Sequence, residues 1–144
     1  EGQTTAKVKT FSLPSDGDSI EHFIPSRYRA SLLYFRGDRN ERHDTIAPIL
    51  RHLRKDFTGR ELHIVEVGMV NDTARWASMI NPRDSTSWTR VFSPGGRQYT
   101  PFEPLNVPRL PYFIVADENG NQLYRGQSAS QAGEKALKHI RSNR

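Results

Sequence analysis

The stretch that decides the fold is residues 31–57, which read SLLYFRGDRNERHDTIAPILRHLRKDF. Residues 31–36 are apolar and aromatic between polar neighbours, and this pattern predicts a buried central strand. From residue 41 to residue 57 the apolar side chains recur every three or four positions, which predicts a helix with one apolar face. Pro48 lies inside that helix, where proline removes a backbone hydrogen bond and kinks the axis. The stretch therefore predicts a buried strand that leads directly into a kinked helix.

Further strands are predicted on both sides of this unit, over residues 8–13, 19–23, 62–67, 111–116 and 121–125. The turn signals Asp16-Gly17 and 117–120 predict a hairpin at each end of the chain. A helix is expected from residue 71 or 72 to residue 80, with Trp76 on its inner side, and a last helix from a cap at Ser130 to residue 141.

Residues 81–105 are rich in Pro, Ser, Gly and Arg, and they predict a loop with an extended piece over 88–92 and a helical turn near Phe102. The order of elements predicts one α/β domain over residues 8–144, with a mixed sheet flanked by helices and an N-terminal β-hairpin. We expect residues 1–7 to form a mobile polar tail.

Residues 35–50, FRGDRNERHDTIAPIL, resemble the active-site segment of the thioredoxin family, F-W-A-x-W-C-x-x-C-x-x-x-x-P-x-L. On that match Asn40 and His43 stand at the positions of the two cysteines, and Pro48 stands at the helix proline. The whole chain contains no cysteine. Because thiol–disulfide exchange needs a thiolate that attacks a sulfur, this chain cannot run that chemistry by itself.

A second motif strengthens the resemblance. Residues 107–120, VPRLPYFIVADENG, resemble the family run V-x-x-x-P-T-x-x-x-x-D-x-x-G, which places Pro111 at the family's cis-proline. The N-terminal hairpin and the helix around Trp76 look like the extracytoplasmic branch, of TlpA type or thiol:disulfide-interchange type. Over residues 8–141 the resemblance implies a thioredoxin-like fold that kept its architecture and lost its reaction.

The segment at the start of the long helix carries candidate binding residues. Arg36, Arg39 and Arg42 lie on or beside a helix N-terminus, whose unpaired amides favour anions, and arginine adds forked donors for carboxylates or phosphates. Asn40 is a good helix cap. His43 is a candidate for a pH-sensitive contact or, as the only catalytic candidate, for a general base. Acidic residues interleaved with the arginines leave local ion pairs as the alternative: Asp38, Glu41 and Asp44.

The second candidate segment surrounds the presumed cis-proline. Arg109 is expected to face the arginines of the first segment, and Tyr112 replaces the threonine that follows the family's cis-proline. The resemblance implies that the backbone of Leu110, Pro111 and Tyr112 pairs with an extended peptide by strand addition. That pairing needs no cysteine, so it can survive here. The alternative is that the proline only shapes the fold.

Composition narrows the possible functions. The net charge is +5, but the 21 basic residues are dispersed among 16 acidic ones, and no nucleic-acid-binding signature is present. No apolar run is long enough to span a bilayer. The five histidines are scattered without zinc spacing, so neither a metal nor another cofactor is expected. Because the chain begins at Glu1 rather than Met, we expect that a leader or tag was removed, in keeping with a periplasmic or other exported protein.

Three functional hypotheses remain. The first is a redox-inactive binding module that grips an extended or acidic segment of another protein at the degenerate active-site surface. The second is an enzyme that uses His43 as its acid or base. The third is a structural domain of a larger exported protein or assembly, marked by an exposed apolar patch near residues 88–102. We favour the first, because function cannot be assigned from a fold alone and the cysteine pair is missing while the proline loop is kept.

Overall fold

The computed structural model describes residues 6–15, 19–37, 43–57, 60–70, 74, 88–93 and 101–142. In these residues the strands are β1 (Phe11–Pro14), β2 (Ile20–Phe23), β3 (Ala30–Arg36), β4 (Leu62–Gly68), β5 (Thr89–Phe92), β6 (Tyr112–Asp117) and β7 (Gln122–Gly126). The α-helices are α1 (His43–Asp56) and α2 (Ala129–Ser142), and two short 3-10 helices are η1 (Pro25–Arg27) and η2 (Glu103–Leu105).

Five of the strands form one mixed sheet in the order β5-β4-β3-β6-β7. The strand β4 is parallel to β3 and to β5, and α1 lies in the crossover connection between β3 and β4. The strand β6 runs antiparallel to β3, and β7 returns antiparallel to β6. The strands β1 and β2 form a separate antiparallel hairpin, which touches the sheet through a bridge between Ser15 and Val91.

The sheet is buried on both faces, so its central strand β3 is buried along its whole length. Both α-helices cover one face, where Leu50 and Leu53 of α1 and Ala136 of α2 pack against the side chains of β3, β4 and β6. At Gly133 the helices approach closely, because an added methyl group there would lie 3.1 Å from Leu53 Cδ1. Because both faces of the sheet are covered, apolar side chains are buried on both sides of it, and this burial stabilises the fold.

The N-terminal hairpin and the residues around η2 cover the other face of the sheet. Phe11 stacks on Phe23 with ring centroids 4.7 Å apart, and its ring meets that of Phe102 edge to face at 4.9 Å. Phe102 in turn meets Phe35 of β3 edge to face at 5.3 Å. This aromatic cluster explains why the hairpin is part of the domain core, since each of these rings is buried.

The turn between β6 and β7 holds the start of the described chain. The Asp117 Oδ1 accepts hydrogen bonds at 2.9 Å from the backbone of Asn119 and of Asn121. Gly120 has a φ of +84°, and its carbonyl accepts a hydrogen bond from the Val8 amide at 2.8 Å. Glycine is needed there for two reasons, since φ is positive and an added Cβ would lie 2.5 Å from the Val8 carbonyl oxygen.

The sequence predicted the class and the order of these elements, and the structure confirms the α/β fold with its mixed sheet, two covering helices and N-terminal hairpin. One cap was wrong. The last helix begins at Ala129, before the predicted cap Ser130, because the Ser128 hydroxyl accepts from the Gln131 amide at 3.1 Å.

The Asp16-Gly17 turn lies outside the described residues, and so does the predicted helix over residues 71–80 with Trp76, except for Ala74, which is helical. Neither α-helix of the described part of the chain is long and apolar enough to cross a membrane.

Candidate functional site

The sheet brings the two candidate segments together at one end. The end of β3 pairs with the start of β6, so that Phe35 lies opposite Tyr112 in an antiparallel register. Two positions beyond this pair, Gly37 lies close to Leu110, since a methyl group added at Gly37 would lie 3.2 Å from Leu110 Cδ1. The helix α1 begins at His43, six residues beyond this contact. We call Gly37, His43 and residues 109–112 the helix-start surface.

His43 is the first residue of α1, and it is half-buried. Its Nδ1 lies 3.1 Å from the hydroxyl of Tyr34, and the two rings are almost parallel with centroids 6.0 Å apart. Tyr34 stacks in turn on Phe113 of β6, at 5.0 Å. The three rings therefore form a column that runs from the core of the sheet to the start of the helix. The hydrogen bond and the parallel rings hold the imidazole beside the Tyr34 phenol, and the tautomer of the imidazole decides which of the two groups donates.

Sequence reasoning missed Tyr34 as the partner of His43. The signal was present in the two-residue period of β3, which puts Leu32 and Tyr34 on the face that α1 covers and Leu33 on the other face. A tyrosine near the end of that face lies beneath the first turn of the helix. The sequence could not supply the distance and angle between the two rings, which depend on how α1 packs against the sheet.

Arg36 lies elsewhere than the sequence suggested. It is only 2% exposed, and its Nη1 donates to Glu66 Oε2 of β4 at 2.6 Å. The other oxygen of that carboxylate, Oε1, accepts from the Trp88 indole N–H at 2.9 Å. Arg36 thus belongs to a buried cluster with Glu66 and Trp88, and in this arrangement its guanidinium is turned away from any ligand at the surface.

The physical reason is again the alternation along β3. Position 36 is the last residue of β3, as the sequence predicted, so its side chain lies on the same face as Tyr34. On that face the parallel neighbour β4 presents Glu66, whose register partner is Tyr34. The buried carboxylate of Glu66 lies beside the end of β3, and a charge in the interior needs a partner of opposite charge. The Arg36 side chain is therefore buried against it.

The segment around Pro111 is more exposed than Arg36. Arg109 is exposed, while Leu110 and Pro111 are half-buried, and the peptide bond between Leu110 and Pro111 is cis. The Pro111 carbonyl accepts from the Gln127 side chain at 3.2 Å. Within the described ranges, no hydrogen bond engages the backbone amide or carbonyl of Leu110. The main chain just before the proline therefore presents a donor and an acceptor.

Tyr112 is buried and does not offer its ring to a ligand. Its hydroxyl accepts from Arg125 Nε at 3.0 Å, and the Arg125 guanidinium lies over the ring, 5.4 Å from the centroid. Arg125 also donates to the carbonyls of Leu105 and Asn106, at 2.7 and 2.9 Å. This arrangement clamps the loop before the proline onto β7, and so it holds the proline segment in place.

Three of the sequence candidates, Arg39, Asn40 and Arg42, lie outside the described residues, as do Asp38 and Glu41. Asp44 is exposed in the first turn of α1. In the part of the chain that the structure describes, no three His, Asp or Glu side chains converge to hold a metal ion. The site that can be built from described residues is therefore one stacked histidine, one contact between Gly37 and Leu110, and one open stretch of backbone.

The arrangement of strands, helices and proline segment is a thioredoxin-like fold, in a chain without cysteine. Solved structures bear this out. The thioredoxin domain of a thiol-disulfide oxidoreductase from Bacteroides vulgatus is similar with a TM-score of 0.79 at 14% identity, over 97% of this chain and 99% of that chain. A thiol-disulfide oxidoreductase from Bacteroides fragilis is similar with a TM-score of 0.73 at 21% identity, over 94% and 99%.

A third similar structure is a secreted disulfide oxidoreductase from Mycobacterium tuberculosis, homologous to DsbE of Escherichia coli. Its TM-score is 0.67 at 13% identity, over 89% of this chain and 95% of that one. Sequence comparison adds nothing to this, since no family model and no curated protein matches the chain. At these identities the likeness shows the fold, which is that of TlpA-type and DsbE-type oxidoreductases, and the absent cysteines separate this chain from their chemistry.

Proposed function

We propose that this protein is a redox-inactive binding module, which grips an extended, acidic segment of another protein at the helix-start surface. The observation that carries the proposal is the open backbone of Leu110 beside the contact with Gly37. An extended peptide can pair with that backbone in the way that a strand adds to a sheet edge, and such pairing needs main-chain groups alone.

Charge supports an acidic partner. Arg109 is exposed next to the open backbone, and Arg39 and Arg42 flank the start of α1 in the sequence. A helix N-terminus adds amide donors and the positive end of the helix dipole. Arg36 is left out of this binding set, because its guanidinium is buried against Glu66.

We place the protein outside the cytoplasm, in the periplasm or an equivalent compartment. The support is the secreted oxidoreductase among the structures of the same fold. A partner is therefore sought in an envelope fraction.

The experiment uses the protein as bait in an envelope extract, beside a variant that carries Arg39→Gln, Arg42→Gln and Arg109→Gln. A matched control removes the same charge from exposed arginines outside the helix-start surface, by Arg27→Gln, Arg60→Gln and Arg141→Gln. A partner that is lost with the first variant and kept with the control supports the proposal. A partner that both variants keep moves the function elsewhere on the fold, and no partner at all favours a structural role.

A second assay separates binding from redox chemistry. In an insulin-reduction assay we expect no turnover above buffer, because neither position of the former motif can supply a thiolate. Reproducible turnover by the purified chain would overturn the redox-inactive half of the proposal and leave the binding half to the bait experiment.

A further inference from the structure

The two helices leave a groove between them that is open to solvent, with a volume of about 480 Å³. Its floor is apolar, with Pro48, Ile49 and Leu53 from α1 and Gly133 and Leu137 from α2. Because Gly133 has no side chain, Leu53 of α1 packs closely against α2 at this point, where an added methyl group would lie 3.1 Å from Leu53 Cδ1. We call this feature the interhelical groove.

The rim of the interhelical groove is acidic, although the chain as a whole carries a net charge of +5. Asp56 and Glu134 stand at the rim with His52 and Ser130. His52 Nε2 lies 3.7 Å from Asp56 Oδ2, in a largely exposed pair that solvent screens. Among the described residues that line the groove there is no lysine or arginine. The charge that would complement this rim is positive.

The shape of the groove favours a helix as the occupant over a small molecule. A pocket for a small ligand encloses most of the ligand's surface, whereas this groove is open along its length. Along α1, from Pro48 to Asp56, the groove is about 12 Å long, because a helix rises about 1.5 Å per residue. That length is about two helical turns, which is the repeat of the apolar anchors of an amphipathic helix at i, i+3, i+4 and i+7.

We propose that the interhelical groove binds a basic amphipathic helix of a partner protein. The apolar stripe of that helix packs between Ile49 and Leu137, and its lysines or arginines pair with Asp56 and Glu134. The proposal goes beyond the function proposed above. The groove begins at Pro48, about one and a half helical turns after His43 on α1. Its acidic rim favours a basic partner, whereas the partner proposed for the helix-start surface is acidic.

The test uses a synthetic helical peptide of about fourteen residues, with leucine at the anchor spacing i, i+3, i+4, i+7 and lysine on its other face. A second peptide keeps the leucines and replaces each lysine with glutamate. Binding is measured by fluorescence anisotropy, and the bound site is mapped by amide chemical shifts. We expect the lysine peptide to shift amides of both helices along the groove, and the glutamate peptide to bind much more weakly.

A variant with Asp56→Asn and Glu134→Gln removes the rim charges from exposed positions and leaves the floor intact. We expect it to bind the lysine peptide about tenfold more weakly, from the loss of two exposed ion pairs. The matched control carries Glu21→Gln and Glu103→Gln, which remove the same charge from exposed sites outside the groove, and it should bind like the parent.

Three outcomes would overturn the proposal: no binding of the lysine peptide, equal binding of both peptides, or shifts that map outside the groove. Equal weakening by the rim variant and by the control would overturn it too, because the attraction would then come from overall charge. None of these results bears on the helix-start surface, so the two proposals fail or stand separately.

Discussion

Protonation of His63 should destabilise the protein between pH 7 and pH 4. The ring is largely enclosed on β4, where it stacks on Tyr28 at 4.3 Å and on Phe23 at 5.8 Å. Its Nε2 is hydrogen-bonded to the Thr89 hydroxyl at 3.0 Å. Burial, and to a smaller extent the nearby positive charge of Arg54, together lower the pKa of His63 to about 4.

The magnitude follows from the difference between the two states. An unfolded histidine titrates near pH 6.5, whereas His63 in the fold has a pKa of about 4. Below pH 6.5 the unfolded chain therefore binds a proton at His63 that the folded protein binds only near pH 4. The contribution of His63 to the free energy of unfolding is fully present above pH 6.5 and is lost as the pH falls through about 4. The loss attributable to this one group is about 2 kcal/mol from pH 7 to pH 5 and about 3 kcal/mol by pH 4.

The assay is urea unfolding of the parent and of His63→Phe at pH 7, 6, 5 and 4. The phenylalanine keeps an aromatic ring between Tyr28 and Phe23 and removes the titration, so the parent should lose about 3 kcal/mol relative to the variant over this range. His22→Gln serves as the control at an exposed histidine, and it should keep the pH dependence of the parent. If the difference between parent and His63→Phe stays constant with pH, the assignment of the proton to His63 is wrong.

The other predictions concern the buried ion pair, the turn and the stacked histidine. Glu66→Gln should lower the free energy of unfolding by about 3 kcal/mol, because it removes the buried carboxylate charge that pairs with the Arg36 guanidinium; a double change of both residues to Met should cost less in urea unfolding. Gly120→Ala should cost about 1 kcal/mol or more through its positive φ and its contact with the Val8 carbonyl, and hydrogen exchange should rise first at the Val8 amide. Tyr34→Phe should cost about 1 kcal/mol through the lost hydrogen bond to the first residue of α1, and an unchanged urea midpoint would contradict that role.

The fold could be predicted because each element obeyed its local signal. The strand β3 was visible as an apolar run, and α1 was visible as a three-and-four repeat around Pro48. The turn from Asp117 to Gly120 was visible as a dense cluster of turn residues. The cap of the last helix failed because two serines, Ser128 and Ser130, stand two positions apart and both are good caps. Only the backbone geometry decides which hydroxyl reaches an amide.

The candidate site was harder to predict, because its chemistry depends on which face of β3 each residue occupies. A resemblance between motifs aligns positions along the chain, and it placed Arg36 beside the other arginines of the segment. The strand places Arg36 by its two-residue period and by the carboxylate of Glu66 across the sheet. Glu66 lies thirty residues further along the chain, so no local sequence pattern around Arg36 predicts this ion pair.

The buried cluster around Arg36 also helps to hold the helix-start surface in place. In the buried cluster of Arg36, Glu66 and Trp88, both carboxylate oxygens of Glu66 accept a hydrogen bond, one from Arg36 and one from Trp88, as a charge in the interior requires. The cluster lies on the face of the sheet that α1 covers. The anchored end of β3, together with the clamp of Arg125 on Tyr112, keeps the two halves of the helix-start surface in register without a disulfide. For the binding of an extended partner proposed above, a surface held in this way would be preorganised, and preorganisation lowers the entropic cost of binding.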